Sequence, residues 1–508
     1  MAMIKFLIAL SIVFLQIEGF AGDPRLKMPN IIFILADDLG YGDVSCLNED
    51  GQIRTPNIDR LAEAGVTFTD AHSAASIGTP TRFGILTGRY PWQTILKNGV
   101  LEVYGKPLMD SKNINMASML KKQGYNTACF GKWGLGFHWS TVDSLPPSNK
   151  MGHYNIDFGV ELTGGPADNG FDYFFGVDAP NFPPYTFIEN RRVFSIPKMY
   201  YTEHQFAECL PGMGVFDWKM DEILPELKIR TIEYISKAAN NSAPFFLYLP
   251  ITSPHTPIAP SSPFIGFSGL NAYSDFVLET DDFVGAVLDA LDKNGLAENT
   301  IVVFTSDNGS SPHAGFEELE TLGHSPNYIF RGSKADLYEG GHRVPCFVRW
   351  PAVMNESRTV DQTICLNDFM ATFAAVSAYQ LHENEAGGSC NILPLLTGPE
   401  PGEVIREATF HQSGNGSLAI RKGDWKLAFS AGSGGWSSPT EKQAREQQLP
   451  AMQLFNLKDD PGEQNNQAAI QPKLLEQLSR EMETILANGR STPGPVQKND
   501  VEVLLRKK

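Results

Sequence analysis

Short, continuous apolar runs recur along the chain and are separated by segments in which hydrophobic residues follow helical spacing. The clearest runs cover residues 30–36, 245–249, 300–305 and 346–350. Runs of this length without polar alternation are typical of strands that are buried on both faces of a sheet. The pattern therefore predicts strands in the interior of an α/β domain.

Helices are predicted between these strands, where apolar positions recur every three or four residues. One stripe, with Thr280 as its predicted N-cap and Gly295 as its end, consists of Phe283, Val284, Val287, Leu288 and Leu291. A shorter helix is predicted to open at Thr55-Pro56 and to stop at Gly65. Strands that alternate with helices indicate a large, mostly parallel sheet sandwiched by helices.

The pattern changes near residue 400. Residues 397–402 read as a linker rich in Gly and Pro, and the short segments 417–421 and 425–429 follow. An amphipathic helix is then predicted from Pro472 to the neighbourhood of Gly489. We therefore expect an α/β domain over residues 22–400. Residues 401–508 should form a C-terminal subdomain with a small antiparallel sheet and one helix.

The N-terminal residues have the pattern of an export signal. Lys5 precedes an apolar run at residues 6–15, and small residues suitable for cleavage occur at 19–21. The alternative, an N-terminal membrane anchor, requires a longer apolar stretch. Residues 1–21 are therefore predicted to be a signal peptide, and no later run is long and apolar enough for a membrane span. We expect a periplasmic or secreted protein.

Composition excludes several classes of protein. The 508 residues are 42% hydrophobic and 19% charged, which is globular and excludes disorder or a collagen-like fibre. With 41 Lys+Arg against 58 Asp+Glu, the formal net charge of −17 argues against a nucleic-acid partner or a basic membrane-surface protein. The six cysteines are too few for a disulfide scaffold. They contain no C-x-x-C pair, which argues against a zinc knuckle or a thioredoxin-like motif. An anionic ligand would need a locally basic site.

Polar residues follow three of the predicted strands directly. Asp37 and Asp38 follow the first, His255 the second, and Asp307 and Asn308 the third. In an open parallel sheet the ligand crevice lies outside the carboxyl ends of the strands. Carboxylate and amide oxygens suit Ca²⁺ or Mg²⁺ better than zinc. Each pair alone could be ordinary turn chemistry, but three strand ends together favour a metal site.

Residues 76–89 have the pattern of a short helix that starts beside a possible anion site. Thr79 fits an N-cap, Pro80 the first helical position and Gly88 the C-terminal stop. Such a helix would direct free N–H groups toward Gly78, and Arg82 adds a cation one turn later. The alternative is an ordinary capped helix that happens to contain an arginine.

These segments together resemble a known family. The similarity covers residues 31–43, 78–89, 131–136, 253–255, 306–309 and 331–343, in that order along the chain. The sequence is similar to the type I, formylglycine-dependent sulfatases, the arylsulfatase-like enzymes of the alkaline phosphatase superfamily. The resemblance implies an alkaline phosphatase-like fold and hydrolysis of aryl or carbohydrate sulfate esters. It also implies one Ca²⁺ ion, with ligands at Asp37, Asp38, Asp307 and Asn308.

The resemblance also implies roles for basic residues. Arg82 would steady the nucleophile, Lys132 and Lys334 would neutralise sulfate oxygens, and His255 would protonate the departing alcohol. In such enzymes a hydrated aldehyde attacks sulfur and later expels sulfate. Fixed positive charge is needed because negative charge builds on the sulfuryl oxygens.

Two positions depart from the family pattern. Gly78 stands where the family has the cysteine or serine that becomes formylglycine, and glycine has no Cβ from which to make an aldehyde. Gly134 stands at a usual catalytic histidine. Three explanations remain open: a fold that binds without cleaving, an inactive variant of an active enzyme, or a record that writes the modified residue as glycine. A hydroxyl from Thr79 or Ser76 is a further conceivable nucleophile.

The sequence therefore supports more than one function. The first hypothesis is an exported, calcium-dependent sulfatase-family hydrolase, and the second is a non-catalytic protein that binds sulfated glycans. A phosphatase-like relative is the third. The irregular stretch 140–201 is expected to wall the pocket, and His313 and His324 are further candidate contacts to a sulfated small molecule or glycan. The oligomeric state is left open.

Overall fold

The computed structural model describes residues 28–399 and 401–505 of the chain. Its strands are β1 Asn30–Ala36, β2 Val66–Phe68, β3 Ala71–His72, β4 Asn126–Lys132, β5 Tyr173–Val177, β6 Ile188–Glu189, β7 Arg192–Val193, β8 Met199–Tyr201, β9 Gly212–Gly214, β10 Phe245–Pro250, β11 Thr300–Ser306, β12 Cys346–Arg349, β13 Arg358–Val360, β14 Ile364–Cys365, β15 Ala408–Gln412, β16 Leu418–Lys422, β17 Trp425–Ala428 and β18 Gln453–Asn456. Its helices are α1 Pro56–Glu63, α2 Gly78–Thr87, α3 Met116–Lys122, α4 Ile223–Ala238, α5 Ala272–Lys293, α6 Phe316–Thr321, α7 Glu339–His342, α8 Asp368–Val376, α9 Leu393–Thr397, α10 Glu441–Glu446 and α11 Pro472–Asn488. The predicted signal peptide at residues 1–21 lies outside the described residues.

A ten-stranded sheet forms the centre of the molecule. Its strand order is β13-β2-β12-β11-β1-β10-β4-β5-β6-β7. The five central strands, from β11 to β5, run parallel. The strands next to them, β12 and β6, pair antiparallel. In the register of the central strands, Ile34 pairs with Leu249 on one side and Phe304 on the other. The predicted class, a large and mostly parallel sheet, is confirmed.

Both faces of this sheet are covered by helices. Ile31, Phe33 and Leu35 of β1 join an apolar cluster with residues of α2, α3 and α8. Ile32 and Ile34 join a second cluster, on the opposite face, with residues of α1, α4 and α5. Successive side chains of a strand point to opposite faces. The run is therefore continuously apolar because each face has its own core.

The predicted strands agree with the structure to within one residue at each end, but two helix starts were wrong. Helix α5 begins at Ala272, and the side chain of Asn271 accepts the N–H of Ser274 as its N-cap. Thr280 lies in the middle of this helix, where its hydroxyl bonds to the carbonyl of Phe276 and to Ser253. Tyr273, Phe276 and Val277 of the first two turns are buried and continue the apolar stripe toward the N-terminus, so the prediction that took Thr280 as the cap began too late.

Helix α2 also differs from its prediction at the N-terminus. It begins at Gly78, its N-cap is Ile77, and no side chain caps it. Thr79 lies in the first turn and its hydroxyl donates to the carbonyl oxygen of Gly134 at 2.9 Å, so Thr79 is not the N-cap. The predicted end at Gly88 is correct, with a left-handed φ of +64° that glycine adopts without strain.

A separate four-stranded antiparallel sheet, in the order β15-β16-β17-β18, forms the C-terminal part of the chain. Helix α11 covers it with an apolar stripe that includes Leu478, Met482 and Leu486. This small sheet contacts the segment that precedes α2. There the N–H of Ser76 donates to the carbonyl of Gln412, the last residue of β15, at 3.0 Å. The division of the chain at residue 400 stays a prediction.

None of the helices within the described ranges is long and apolar enough to cross a membrane.

Candidate functional site

The carboxyl ends of three adjacent parallel strands bring the predicted polar residues together. Strand β1 lies between β10 and β11, so Asp37 is next to both of the neighbouring strand ends. The N–H of Asp37 donates to the carbonyl of Ser253 at 3.0 Å, and the N–H of Asp307 donates to that of Ala36 at 3.1 Å. These backbone bonds fix the relative positions of the three strand ends.

The acidic and amide groups at these ends form one cluster. Asn308 donates its side-chain N–H to Oδ1 of Asp38 at 2.7 Å, and the backbone N–H of Asp38 donates to Oδ1 of Asp307 at 3.2 Å. Asp38 has a φ of +66°, an uncommon conformation outside glycine that often occurs at functional sites. Ligand atoms of Asp37, Asp38 and His255 lie within 4.8 Å of one another.

Two oxygen atoms of this cluster lack a hydrogen-bond partner among the described residues. These are Oδ1 of Asp37 and Oδ1 of Asn308, both buried. A buried acceptor without a donor costs free energy unless another group satisfies it. A hard cation would satisfy both oxygens, so the donor set fits Ca²⁺.

Three cations face the three carboxylates. Lys132 lies 2.7 Å from Oδ2 of Asp37, and Lys334 lies 2.7 Å from Oδ2 of Asp38. The fully buried guanidinium of Arg82 contacts Asp307 at 2.9 Å and Asp37 at 3.3 Å. The formal charges of these six groups cancel. A bound divalent cation would therefore leave the site positive and suited to an anion.

The pKa values of the carboxyl groups report how crowded this cluster is. Burial by itself raises the pKa of Asp37 and Asp38, but nearby cations, above all Lys132 and Lys334, hold both below the usual range. Burial and the negative charge of Asp37 raise the pKa of Asp307 to about 7. Burial and the two lysines lower the pKa of His255 to about 4.

Gly78 and Gly134 leave the space above Arg82 without side chains. A Cβ built on Gly78 would lie 2.8 Å from Oδ2 of Asp307 and 3.6 Å from Nε of Arg82. A Cβ on Gly134 would lie 3.2 Å from Cδ of Arg82, and Gly134 has a φ of +67°. The glycine at position 78 carries no group that could become an aldehyde, so the residues present do not fit a formylglycine.

A cavity of about 570 Å³ opens directly on this cluster. At its inner end lie Gly78, Lys132, Gly134, His255 and Lys334. Its outer part is lined mainly by residues from three other segments, namely Asp178, Asn181, Phe182, Glu208 and Trp436. Three of these come from the stretch 140–201, which was predicted to wall the pocket. The volume is in the range of sites that hold a small molecule.

The structure places the predicted residues as follows. The nine residues of the predicted site, eight charged or polar residues and Gly78, lie together at the inner end of the cavity or directly beneath it. They are Asp37, Asp38, Gly78, Arg82, Lys132, His255, Asp307, Asn308 and Lys334. Their chemical roles stay predictions.

The two additional histidines differ in position. His313 lines the outer part of the cavity and pairs with Glu208 at 2.7 Å. His324 is buried and its Nε2 lies 2.9 Å from Asp43, so it does not line the cavity. Its surroundings are those of a buried structural residue.

Several residues of the cavity were missed from the sequence, among them Glu208, Asp178 and Trp436. Asp178 directly follows β5, the strand next to β4, so the rule that located Asp37 and Asp307 applies to it as well. The β5 run was not recognised as a strand because it lies in an irregular stretch rich in aromatics. Trp436 lies in a loop rich in Gly and Ser, far along the chain, and no local signal connects it with the site.

Comparisons with known protein families and sequences agree with this arrangement. A family model described as Sulfatase matches residues 29–378. An N-acetylgalactosamine-6-O-sulfatase of Bacteroides thetaiotaomicron is 33% identical over 500 residues, which cover 90% of this chain and 93% of that protein. Arylsulfatase A of Bos taurus is 31% identical, over 88% of this chain and 84% of that protein.

Solved structures show the same similarity. One, described in connection with the metabolism of multiple glycosaminoglycans by Bacteroides thetaiotaomicron, has a TM-score of 0.77 and 31% identity, and covers 90% of this chain and 99% of its own. The crystal structure of Ps i-CgsB in complex with k-i-k-neocarrahexaose has a TM-score of 0.67 and 25% identity, over 93% of this chain and 95% of that one.

Proposed function

Since this chain belongs to the sulfatase family, whose members have the alkaline phosphatase-like fold, we propose that its cavity holds the sulfate group of a carbohydrate sulfate beside a calcium ion. We further propose that the sequence with Gly78 binds such an ester and does not cleave it by aldehyde chemistry. The observation that carries the proposal is the meeting of Lys132, His255 and Lys334 with a cluster of oxygen ligands at the inner end of one cavity.

Asp37, Asp38, Asp307 and Asn308 would hold the calcium ion. The unpartnered Oδ1 atoms of Asp37 and Asn308 support this assignment, because hard oxygen ligands are what Ca²⁺ prefers. When bound, the ion would add positive charge at the inner end of the cavity and attract a sulfuryl oxygen.

The two lysines, each paired with a different aspartate, would both bind the sulfate group. An ammonium group has three N–H donors, and each lysine uses one toward its own aspartate at 2.7 Å. The remaining donors of Lys132 and Lys334 are available to sulfate oxygens in the cavity. Nδ1 of His255 donates to the carbonyl of Thr256, which fixes the ring. Its Nε2 lies 3.8 Å from Asp38, at the same end of the cavity.

The hydroxyl groups near Gly78 are engaged elsewhere. The hydroxyl of Thr79 donates to the carbonyl of Gly134 at 2.9 Å. Ser76 is fully buried, and its hydroxyl is directed to the carbonyl of Gln412 at 3.4 Å. Neither hydroxyl is positioned as a nucleophile in place of the missing aldehyde. The ester would therefore be bound without an attacking group from the chain.

Hydrolysis of the bound ester by water is the second candidate function. The observation in its favour is that the cations and His255 are all present around the cavity. A water oxygen would attack sulfur and the bond from sulfur to the sugar oxygen would break. One proton of the attacking water would pass to the departing sugar oxygen and the other to solvent. The products would be sulfate and the desulfated sugar.

Titration calorimetry with N-acetylgalactosamine 6-sulfate, in calcium and in EGTA, tests the first proposal. We expect saturable binding that depends on calcium, and no binding of unsulfated N-acetylgalactosamine. Assays with a chromogenic aryl sulfate and with the sulfated sugar then separate the two functions, since the first predicts no turnover. The intact mass of the protein would reveal any modified residue at position 78. Absence of binding to every sulfate ester would overturn the proposal.

A further inference from the structure

The turn that carries Asp38 is held partly by residues that lie outside the cavity. Asp38 has a left-handed φ of +66°, a conformation that residues other than glycine seldom adopt. Its N–H donates to Oδ1 of Asp307 at 3.2 Å, and the N–H of Leu39 donates to the hydroxyl of Ser306 at 3.0 Å. Both of these bonds are made to the end of β11. A strained conformation of this kind persists only where the surrounding structure holds it.

Asp43 anchors the other side of this turn. Its Oδ2 accepts the N–H of Gly40 at 2.8 Å and the hydroxyl proton of Tyr273, and its Oδ1 lies 2.9 Å from Nε2 of His324. The N–H of Gln52 donates to Nδ1 of His324 at 3.2 Å, so this ring donates to Asp43 through Nε2. Three donors from three segments of the chain therefore converge on one carboxylate.

Tyr273, in the first turn of α5, connects Asp43 with the turn at Asp38. Its hydroxyl lies 3.3 Å from the backbone carbonyl oxygen of Asp38 and accepts the hydroxyl of Ser310 at 3.0 Å. The carbonyl of Ser310 accepts the N–H of Lys334 at 3.0 Å. One phenol group thus contacts the backbone of a predicted calcium ligand and, through Ser310, the loop of a predicted sulfate-binding lysine.

The charge of Asp43 is not balanced by a cation of its own. Asp43 is fully buried, and within residues 28–399 and 401–505 it has no lysine or arginine as an ion-pair partner. The acidic groups of the predicted calcium site, by contrast, are each paired with one of Lys132, Lys334 and Arg82. A buried negative charge stabilises a cation bound close to it, because the protein interior screens charge poorly. Asp43 therefore favours a divalent ion beside Asp38.

We infer that Asp43, Tyr273 and His324 are positioning residues for calcium. They hold Asp38 in its left-handed turn and set the affinity of the site without touching the ion. None of these three residues lines the cavity, so they do not contact the sulfate group. The inference rests on the proposed function, because it assumes that calcium binds beside Asp38. Groups that orient the ligands of a metal ion tune how tightly the ion is held.

The test is the calcium Kd of the full-length protein after metal removal with EGTA, measured by titration calorimetry. We expect Asp43→Asn and Tyr273→Phe each to weaken calcium binding about tenfold or more, the usual effect of losing a group that orients a metal ligand. Asp43→Asn removes the charge and keeps the shape of the side chain. Tyr273→Phe removes only the hydroxyl and keeps the ring and every charge.

His324 allows a rescue experiment at one position. His324→Ala removes the donor to Oδ1 of Asp43 and should also weaken calcium binding. His324→Gln keeps a side-chain N–H donor, so it should recover part of the loss. If the two variants bind calcium equally weakly, the assignment of His324 as a donor that positions Asp43 is overturned.

Two variants elsewhere in the fold are matched controls. Asp281, on the same helix as Tyr273, is a buried carboxylate that accepts the N–H groups of Asn57 and Ile58 at 3.2 and 2.8 Å. Tyr90 is a buried phenol that accepts an N–H of Arg406 at 3.0 Å.

Asp281→Asn and Tyr90→Phe should lower the urea midpoint of unfolding, as the test variants should. They should leave the calcium Kd within about twofold of the parent value, because sites that share no partners act independently. A change of Kd that is confined to the test variants supports the positioning role.

The outcomes separate this inference from the proposed function. If the parent protein binds calcium and the test variants bind it equally well, the positioning role is overturned while the calcium site stands. The same conclusion follows if the controls weaken calcium binding as much as the test variants do. Should Asp43→Asn fail to fold, Tyr273→Phe decides by the same criterion. If the parent protein binds no calcium, the proposed metal site and the positioning role are both overturned.

Discussion

At the scale of single residues, position 78 decides which chemistry the site can perform. The surrounding cations and oxygen ligands are in place, yet Gly78 offers no atom for covalent attack on sulfur. A Cβ there would meet only the end of the Asp307 side chain within 3.5 Å, at 2.8 Å. A small displacement of that carboxylate would make room for a side chain. The position is therefore open to restoration.

Restoring the family residue tests this reading. We expect Gly78→Cys, co-expressed with a formylglycine-generating enzyme, to acquire the mass of an aldehyde and to gain turnover of an aryl sulfate. The physical reason is that the cations that stabilise charge on the sulfuryl oxygens are already in place. Gly78→Ala, expressed in the same way, is the matched control and should show neither. An aldehyde-bearing protein that turns over no sulfate ester would contradict the expectation.

Restoring the second position is expected to be harder. Gly134 has a φ of +67°, a conformation that costs a side-chain-bearing residue about 1 kcal/mol or more. We expect Gly134→His to lower the free energy of unfolding by about that amount, measured by urea denaturation. Gly295→Ala is a matched control, because it has a φ of +66° and no neighbour within 4 Å of its Cβ. A Gly134→His protein as stable as the parent would contradict a strained left-handed conformation at this position.

The lysines give a prediction about the sulfate group itself. We expect Lys132→Ala to weaken binding of a sulfate ester by about 2 kcal/mol, roughly thirtyfold, because a charge-assisted hydrogen bond is lost. Calorimetry measures the change, and the exposed Lys150→Ala is the control. Unchanged affinity in Lys132→Ala would remove this residue from the sulfate-binding group.

At the scale of elements, a buried charged network joins the C-terminal sheet to helix α7. Lys426 of β17 is fully buried and lies 3.1 Å from Glu339 of α7 and 2.7 Å from Glu463. Arg421 of β16 contacts Asp70, which directly precedes β3, at 2.6 Å. These contacts hold the C-terminal sheet against β3, which precedes α2 in the chain, and against α7, which follows Lys334. The network is thus a candidate for maintaining the shape of the cavity.

Breaking this network should be costly. We expect Lys426→Met to destabilise the protein by about 3–5 kcal/mol, because it leaves the buried Glu463 without its cation and removes the nearest of the cations around Glu339. Lys422→Met in the same hairpin is the control. Its partly exposed lysine pairs with Glu481 at 3.0 Å, and such pairs contribute about 0–1 kcal/mol. Urea denaturation measures both variants, and equal stability of the two would contradict the expectation.

The two helix corrections also belong to this scale. Thr79 and Thr280 have the residue type of N-caps, but each lies inside its helix and its hydroxyl bonds to a residue distant along the chain. The hydroxyl of Thr280 also bonds to the carbonyl of Phe276, four residues earlier. For Thr79 the distant partner is the carbonyl of Gly134, 55 residues away. Helix starts depend on such contacts, whereas the apolar stripes that follow are local.

At the scale of the whole molecule, calcium should stabilise the folded state. The ligands follow the ends of β1 and β11, which are separated by more than 260 residues, so the site exists only when the sheet is formed. A ligand that binds only the folded state at a hundred times its Kd adds about 2.7 kcal/mol to stability. We expect calcium to raise the melting temperature and EGTA to lower it.

An Asn308→Ala variant provides the control for calcium. It removes one predicted ligand and no charge, so the calcium-dependent change in melting temperature should shrink strongly. Scanning calorimetry with calcium, magnesium and zinc would show which ion is preferred. A melting temperature that is independent of every divalent ion would exclude the predicted metal site.

The sequence alone determined β1, β10, β11 and β12 but not β4 and β5, because a strand buried on both faces must be apolar throughout and that is a local property. It also located Asp37, Asp38, His255, Asp307 and Asn308, since parallel strands deliver the residues that follow them to one edge. Only the tertiary structure showed that Asp178 and Trp436 line the same cavity as Lys132. Their position depends on the packing of an irregular stretch and of a C-terminal loop against that edge. Contacts between segments so distant along the chain leave no pattern in either segment.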